Sequence, residues 1–187
     1  LIEAVDSFAA DMAGRGLVSG QRVAFWMPDR MESVVALLAC SRNGLVCCPS
    51  PHRNHTAAQV VTLLERMRAS VLIYQKGFGA DGGQIDIEAE IGHLGSMRHV
   101  YRLMPLQPGD MTTPFETVLN TAADKSGCPA PVSNPDNVIY MAFTSGSTGV
   151  PKGVMHSDNT LLVTARGIST DWHIGIDSVV YSLSPFS

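Results

Sequence analysis

Apolar residues along the chain recur at helical spacing in some stretches and in short unbroken runs in others, and the two kinds alternate. Ile2, Val5, Phe8 and Met12 share one stripe and predict a helix over 1–15, stopped by Gly14 or Gly16. Residues 22–27 are apolar on both faces after Arg22, the pattern of a strand covered by helices on both sides, and Pro28-Asp29 breaks the run. A helix over 31–43 ends at Gly44, and a second buried strand over 45–48 is closed by Pro49 and Pro51. Thr56 and Gln59 form a capping box for a helix reaching about Ala69, with Val60, Leu63, Leu64 and Met67 as its buried stripe. A third strand spans 71–74. After a glycine-rich turn over 77–83 come a weaker helix over 85–94, a strand over 99–103, a loop over 105–114 and a short helix over 115–122. A proline-bearing connection over 125–137 leads to a strand over 138–143. A short strand over 153–156, a helix over 159–169 capped by Ser157 or Asp158, and a last strand over 179–183 complete the chain. Strand–helix–strand alternation predicts an α/β fold of three layers, a mainly parallel sheet flanked by helices.

One stretch breaks the apolar rhythm. The run Val138-Ile139-Tyr140-Met141-Ala142-Phe143 passes into six small residues, Thr144-Ser145-Gly146-Ser147-Thr148-Gly149, followed by Val150, Pro151, Lys152 and Gly153. Glycines let successive backbone N–H groups turn toward one point, hydroxyls add donors, and Lys152 adds one positive charge. Such a set suits a polyphosphate, whose negative charge is dispersed over many oxygens. It is not a Walker A loop, which needs four residues between its glycines and a Ser or Thr directly after its Lys. A surface linker is the bland alternative, but linkers seldom follow a buried strand and carry a fixed Pro and Lys. Val154-Met155 is apolar and able to pair with the preceding strand. The loop is therefore expected at the tip of a β-hairpin, with no helix dipole behind it, and weakly ordered over 145–151 when no nucleotide is bound.

The segment Thr144-Ser145-Gly146-Ser147-Thr148-Gly149-Val150-Pro151-Lys152-Gly153-Val154 resembles the phosphate-loop signature of the adenylate-forming superfamily at every position. That superfamily includes acyl-CoA synthetases, peptide-synthetase adenylation domains and beetle luciferases. More loosely, the order of elements between Gly20 and Leu64 is similar, and Ser184-Pro185-Phe186-Ser187 resembles the start of a further family motif. The resemblance implies an AMP-forming ligase with ATP, Mg2+ and coenzyme A as its reaction partners and a carboxylic acid as substrate. In such an enzyme a carboxylate attacks the α-phosphorus of ATP, and a thiol, commonly that of coenzyme A, then takes the acyl group. The family's ATP-phosphate contacts carry over to Thr144, Ser145, Gly146, Ser147, Thr148, Gly149 and Lys152, with Lys152 stabilising phosphate charge during catalysis and Pro151 and Gly153 shaping the loop. The family's adenine-binding segment, hinge and small C-terminal domain match nothing in these residues. Residues 1–187 are therefore read as a single domain, the first part of a larger N-terminal domain, inactive by itself. A carrier-protein thiol as acceptor is one rival reading, and a non-catalytic nucleotide-binding or structural module is another.

Composition narrows the rest. A formal net charge of −4, without a basic run, argues against nucleic acid as a partner. No apolar stretch approaches the length of a transmembrane segment. Of the four cysteines, Cys40, Cys47 and Cys48 lie in apolar runs, as free thiols of a reducing compartment do, which with Cys128 unpaired points to the cytoplasm. No metal site is expected. His52 and His55 have no nearby carboxylate or thiol, His156 reads as a locally bonded strand-end residue, and Trp172 reads as packed at a helix C-terminus. The oligomeric state leaves no trace in the sequence.

Overall fold

A computed structural model of the chain describes residues 1–49, 53–107, 115, 130–144 and 152–181. Five helices and six strands follow in order: α1 (Ile2–Gly14), β1 (Arg22–Trp26), α2 (Met31–Asn43), β2 (Val46–Cys48), α3 (Ala57–Met67), β3 (Val71–Gln75), α4 (Ile87–Ile91), β4 (His99–Leu103), β5 (Val138–Thr144), β6 (Lys152–Ser157) and α5 (Asp158–Asp171), counted among the described residues. The strands form one sheet in the order β4-β3-β1-β2-β5-β6. Every neighbouring pair is parallel except β5 and β6, which run antiparallel.

The apolar runs explain the layers. Successive strand residues face opposite sides, so Val23, Phe25, Val71 and Ile73 enter one core with Phe8 and Met12 of α1 and Val35 and Ala39 of α2. Ala24, Trp26, Leu72 and Tyr74 enter the other with Val60, Leu64 and Met67 of α3 and Ile87 and Ile91 of α4. The expected three-layer α/β architecture is what forms. Thr56 caps α3 through both halves of the capping box, its hydroxyl accepting from the Gln59 N–H at 3.3 Å. Gly44 ends α2 at φ 68°, and a Cβ there would sit 2.6 Å from Ser19 Oγ, so chain direction and close approach both demand glycine. Arg22 donates to the carbonyls of Met67 and Arg68 at 2.7 and 2.6 Å and ties the end of α3 to the start of β1.

Several element bounds differ from the sequence expectation. The helix expected over 85–94 contracts to Ile87–Ile91 because the Asp86 carboxylate accepts from the Glu88 N–H and starts it late, and Gly92 ends it. Phe115 does not open a helix: its φ is 62°, and its ring stacks on Phe8 at 4.0 Å. The rest of the helix expected over 116–122 lies outside the described residues. Of the strand expected over 179–183, the last two residues lie outside the described ones, and Val179, Val180 and Tyr181 form no strand and are 95%, 65% and 84% exposed. Their β propensity finds no neighbouring strand among the described residues.

Candidate functional site

β5 and β6 carry the two ends of the signature segment. Their ladder pairs Tyr140 with His156, Met141 with Met155, Ala142 with Val154, Phe143 with Gly153 and, last, Thr144 with Lys152. The Thr144 hydroxyl donates to the Lys152 carbonyl at 3.4 Å. The structure thus brings Thr144 and Lys152 together, with Lys152 exposed to solvent. Ser145, Gly146, Ser147, Thr148 and Gly149 lie outside the described residues, as does the expected weak order over 145–151. Gly153 has a local reason to be glycine: a Cβ there would lie 3.2 Å from Met141 Sδ, on the side where Met141 and Phe143 pack on the core.

The hairpin is attached to the body at its other end. β2 and β5 share a single register pair, Cys47 with Tyr140. Ser157 caps α5 through a reciprocal box with Thr160. The next residue, Asp158, accepts both 2.9 and 3.0 Å contacts from the Ser41 hydroxyl on α2. His156 behaves as expected, its ring 5.9 Å from that of Tyr140 and its Nδ1 3.4 Å from Thr160 Oγ1. Trp172 does not pack; it is 71% exposed, because α5 buries no residue against the described part of the protein.

Two further clusters carry titratable groups. At the carboxyl ends of β1, β3 and β4, under the glycine-rich turn, lies a cavity of about 280 Å³ lined by Trp26, Tyr74, Lys76 and Arg102 among others. On its wall the Tyr74 hydroxyl donates to Glu88 at 2.6 Å, and Arg102 Nε donates to Glu88 at 2.7 Å. Burial, then the Glu88 carboxylate, push the Tyr74 phenol up to about 12, while Arg102 holds Glu88 below the usual carboxylate range. This pocket sits in the opposite half of the sheet from the hairpin. Sequence reasoning did not single it out; the glycine-rich turn after a strand was its only signal. The second cluster is Cys40, Cys47 and Cys48, all buried. Burial pushes the Cys47 and Cys48 thiols up, which makes them unreactive packing groups. No group of three or more His, Cys, Asp or Glu that could hold a metal occurs among the described residues, and His52 and Cys128 lie outside them.

The family model of AMP-binding enzymes matches residues 1–187, the whole of the chain. The chain belongs to the AMP-binding enzyme family. It is 32% identical over 191 residues to a methyl-dioxo-octahydroindenyl-propanoyl:CoA ligase of Mycobacterium tuberculosis, covering 100% of this chain and 36% of that protein. It is 28% identical over 172 residues to the acetyl-coenzyme A synthetase of Xanthobacter autotrophicus, covering 86% and 26%. The chain therefore spans about a third of the length of these relatives. Among solved structures, apo MatB from Rhodopseudomonas palustris superposes with a TM-score of 0.72 at 23% identity, covering 97% of this chain and 34% of that one. A Mycobacterium tuberculosis fatty acyl CoA synthetase gives 0.64 at 23%, covering 94% and 31%. These two share the fold. No helix among the described residues is long and apolar enough to cross a membrane.

Proposed function

We propose that the intact protein activates a carboxylic acid with ATP and passes the acyl group to coenzyme A. The observation that carries this reading is the 144–153 segment, glycines, hydroxyls and one lysine, set between two antiparallel strands of a family-matched chain. A carboxylate oxygen of the substrate attacks the α-phosphorus, and the bond from that phosphorus to the bridging oxygen of pyrophosphate breaks. Negative charge grows on the leaving pyrophosphate. Hydroxyls of Thr144, Ser145, Ser147 and Thr148, amides of Gly146 and Gly149, and the Lys152 ammonium meet it. Thr144 and Lys152 face each other at the open end of the ladder, so one hydroxyl and one cation flank the loop on both sides. Mg2+ would arrive with the nucleotide and neutralise phosphate charge.

Residues 1–187 form the first part of the larger N-terminal domain in this reading. The acid is left at the level of its class, since the relatives' names span acetyl, fatty acyl and ring-bearing propanoyl groups. Coenzyme A is preferred to a carrier protein as acceptor because those relatives are named as CoA ligases and synthetases. Buried thiols at Cys40, Cys47 and Cys48 favour a cytoplasmic setting. The test is ATP–pyrophosphate exchange by the intact enzyme with a panel of carboxylic acids, comparing Lys152→Ala with the wild type. The substitution should cost about 2–4 kcal/mol of transition-state stabilisation, a fall of roughly thirty- to a thousand-fold, with acid binding little changed. An unchanged rate at saturating ATP would remove Lys152 from this role.

A further inference from the structure

The strand that bears Lys152 is poorly held by apolar packing. β6 is the outer strand of the sheet, its residues are exposed up to Met155, and Ser157 is its one buried residue. β5, its partner, meets the rest of the sheet through one register pair. α5, which follows directly, buries nothing. β5 itself is held by apolar packing, with Ile139 buried and Tyr140, Met141 and Phe143 against the two cores, whereas what joins β6 and α5 to the body beyond their ladder is polar and lies at the base. The Ser41 hydroxyl near the end of α2 donates to both Asp158 oxygens at 2.9 and 3.0 Å. One residue along α2, the Arg42 carbonyl accepts from the Val132 N–H at 2.9 Å, which fixes the connection entering β5. Asn159 closes the ring: its N–H donates to the Pro135 carbonyl at 3.2 Å and its side-chain amide to Asp136 at 2.7 Å. The last turn of α2 thus holds the strand leading into the signature loop and the strand leading out of it.

We propose that Asp158, through its bond to Ser41, is a positioning residue that sets the pose of β6 against β5 and so of Lys152 at its far end. The proposal rests on the reading of Lys152 as the phosphate cation. β6 is exposed along its length up to Met155, so loss of the tie at its base lets it shift against β5, and a displacement of about 1 Å at a charged contact is enough to cost a hundred-fold in rate. Asp158 also stands at the first turn of α5, where a carboxylate stabilises the helix through its dipole. Ser41 has no such second role, so removing its hydroxyl isolates the tie.

The experiment makes Ser41→Ala and Asp158→Ala in the intact enzyme, each alone and together with Lys152→Ala. It measures kcat/KM for ATP in pyrophosphate exchange, melting temperature, and amide hydrogen exchange over β6. Each single variant should lower kcat/KM about ten-fold, the weight of one charge-assisted hydrogen bond. In the Lys152→Ala background the same change should cost less than about two-fold, because the group it positions is gone. The β6 amides of Ser41→Ala should exchange faster while those of β3 stay as in the wild type. An equal loss in both backgrounds overturns the proposal, as does a lowered melting temperature with kcat/KM unchanged. If Lys152→Ala alone leaves the rate untouched, the reading of the loop fails, and hydrogen exchange then decides the clamp: unchanged β6 protection in Ser41→Ala overturns it, faster exchange sustains it.

Discussion

His99 sits edge-on to the Tyr101 ring, 4.4 Å between centroids. Burial, and then the Arg15 guanidinium, push its pKa below the usual value, while Asp11 pulls weakly the other way. The folded protein therefore holds His99 neutral at a pH where the unfolded chain, titrating near about 6.5, already binds a proton. Stability falls as pH drops through that value and levels off below the folded pKa. Glu88, held low by Arg102, adds a loss of the same sign further down, setting in as pH falls below about 4.3 toward its folded pKa. Thermal melts of wild type and His99→Gln between pH 7.5 and 5.5 should show the variant losing less on acidification; parallel curves would refute the assignment. Gly79 offers a second residue-level test. Its φ is 109°, and a Cβ would lie 2.2 Å from Cζ2 of buried Trp26. Gly79→Ala should cost at least about 2 kcal/mol in urea unfolding, from backbone strain plus overpacking. A glycine-rich turn was legible in the sequence; its closure over Trp26 was not, because nothing local relates residues so far apart.

At the scale of elements, caps set boundaries more firmly than apolar spacing. Thr56 and Gln59 were readable as a capping box, and both halves form. Thr56→Ala should lower the urea midpoint by the equivalent of about 1 kcal/mol without changing the slope of the transition. A change in slope would mean that the loss spreads beyond the end of α3. The α4 segment shows the opposite case: apolar residues from Ile85 to Leu94 suggested a longer helix, yet Asp86 captures the Glu88 N–H and delays its start. Val179-Val180-Tyr181 has strand-forming residues and no strand, since a ladder needs a neighbour as well as a propensity.

At the scale of the molecule, exposed apolar surface gathers on the late part of the chain. Met155, Val163, Trp172, Val179 and Tyr181 are all exposed, whereas α1 to α4 bury most of their apolar residues, with Ile2 of the expected α1 stripe and Met31 and Leu38 of α2 exposed. The 187 residues expressed alone should bind a hydrophobic dye or self-associate, and Val163→Lys together with Trp172→Lys should reduce both. Dye binding equal in the two would place the sticky surface elsewhere. The same protein should show no ATP–pyrophosphate exchange above a no-protein control, because it spans about a third of its relatives' length. Turnover by it would show that these residues suffice for adenylation.

The sequence by itself determined the layers, the parallel core strands and the antiparallel hairpin arms around the signature, because alternation and helical spacing are local and each strand's two apolar faces require helices on both sides. It also determined the family, through an eleven-residue segment whose spacing is carried by the chain itself. Tertiary structure alone decided what anchors that segment. Ser41 and Asp158 are 117 positions apart, and no period or motif links a helix-end serine to the first residue of a distant helix. Their meeting follows from strand order: β5 inserts beside β2, so α2, which precedes β2, is brought against the base of the hairpin.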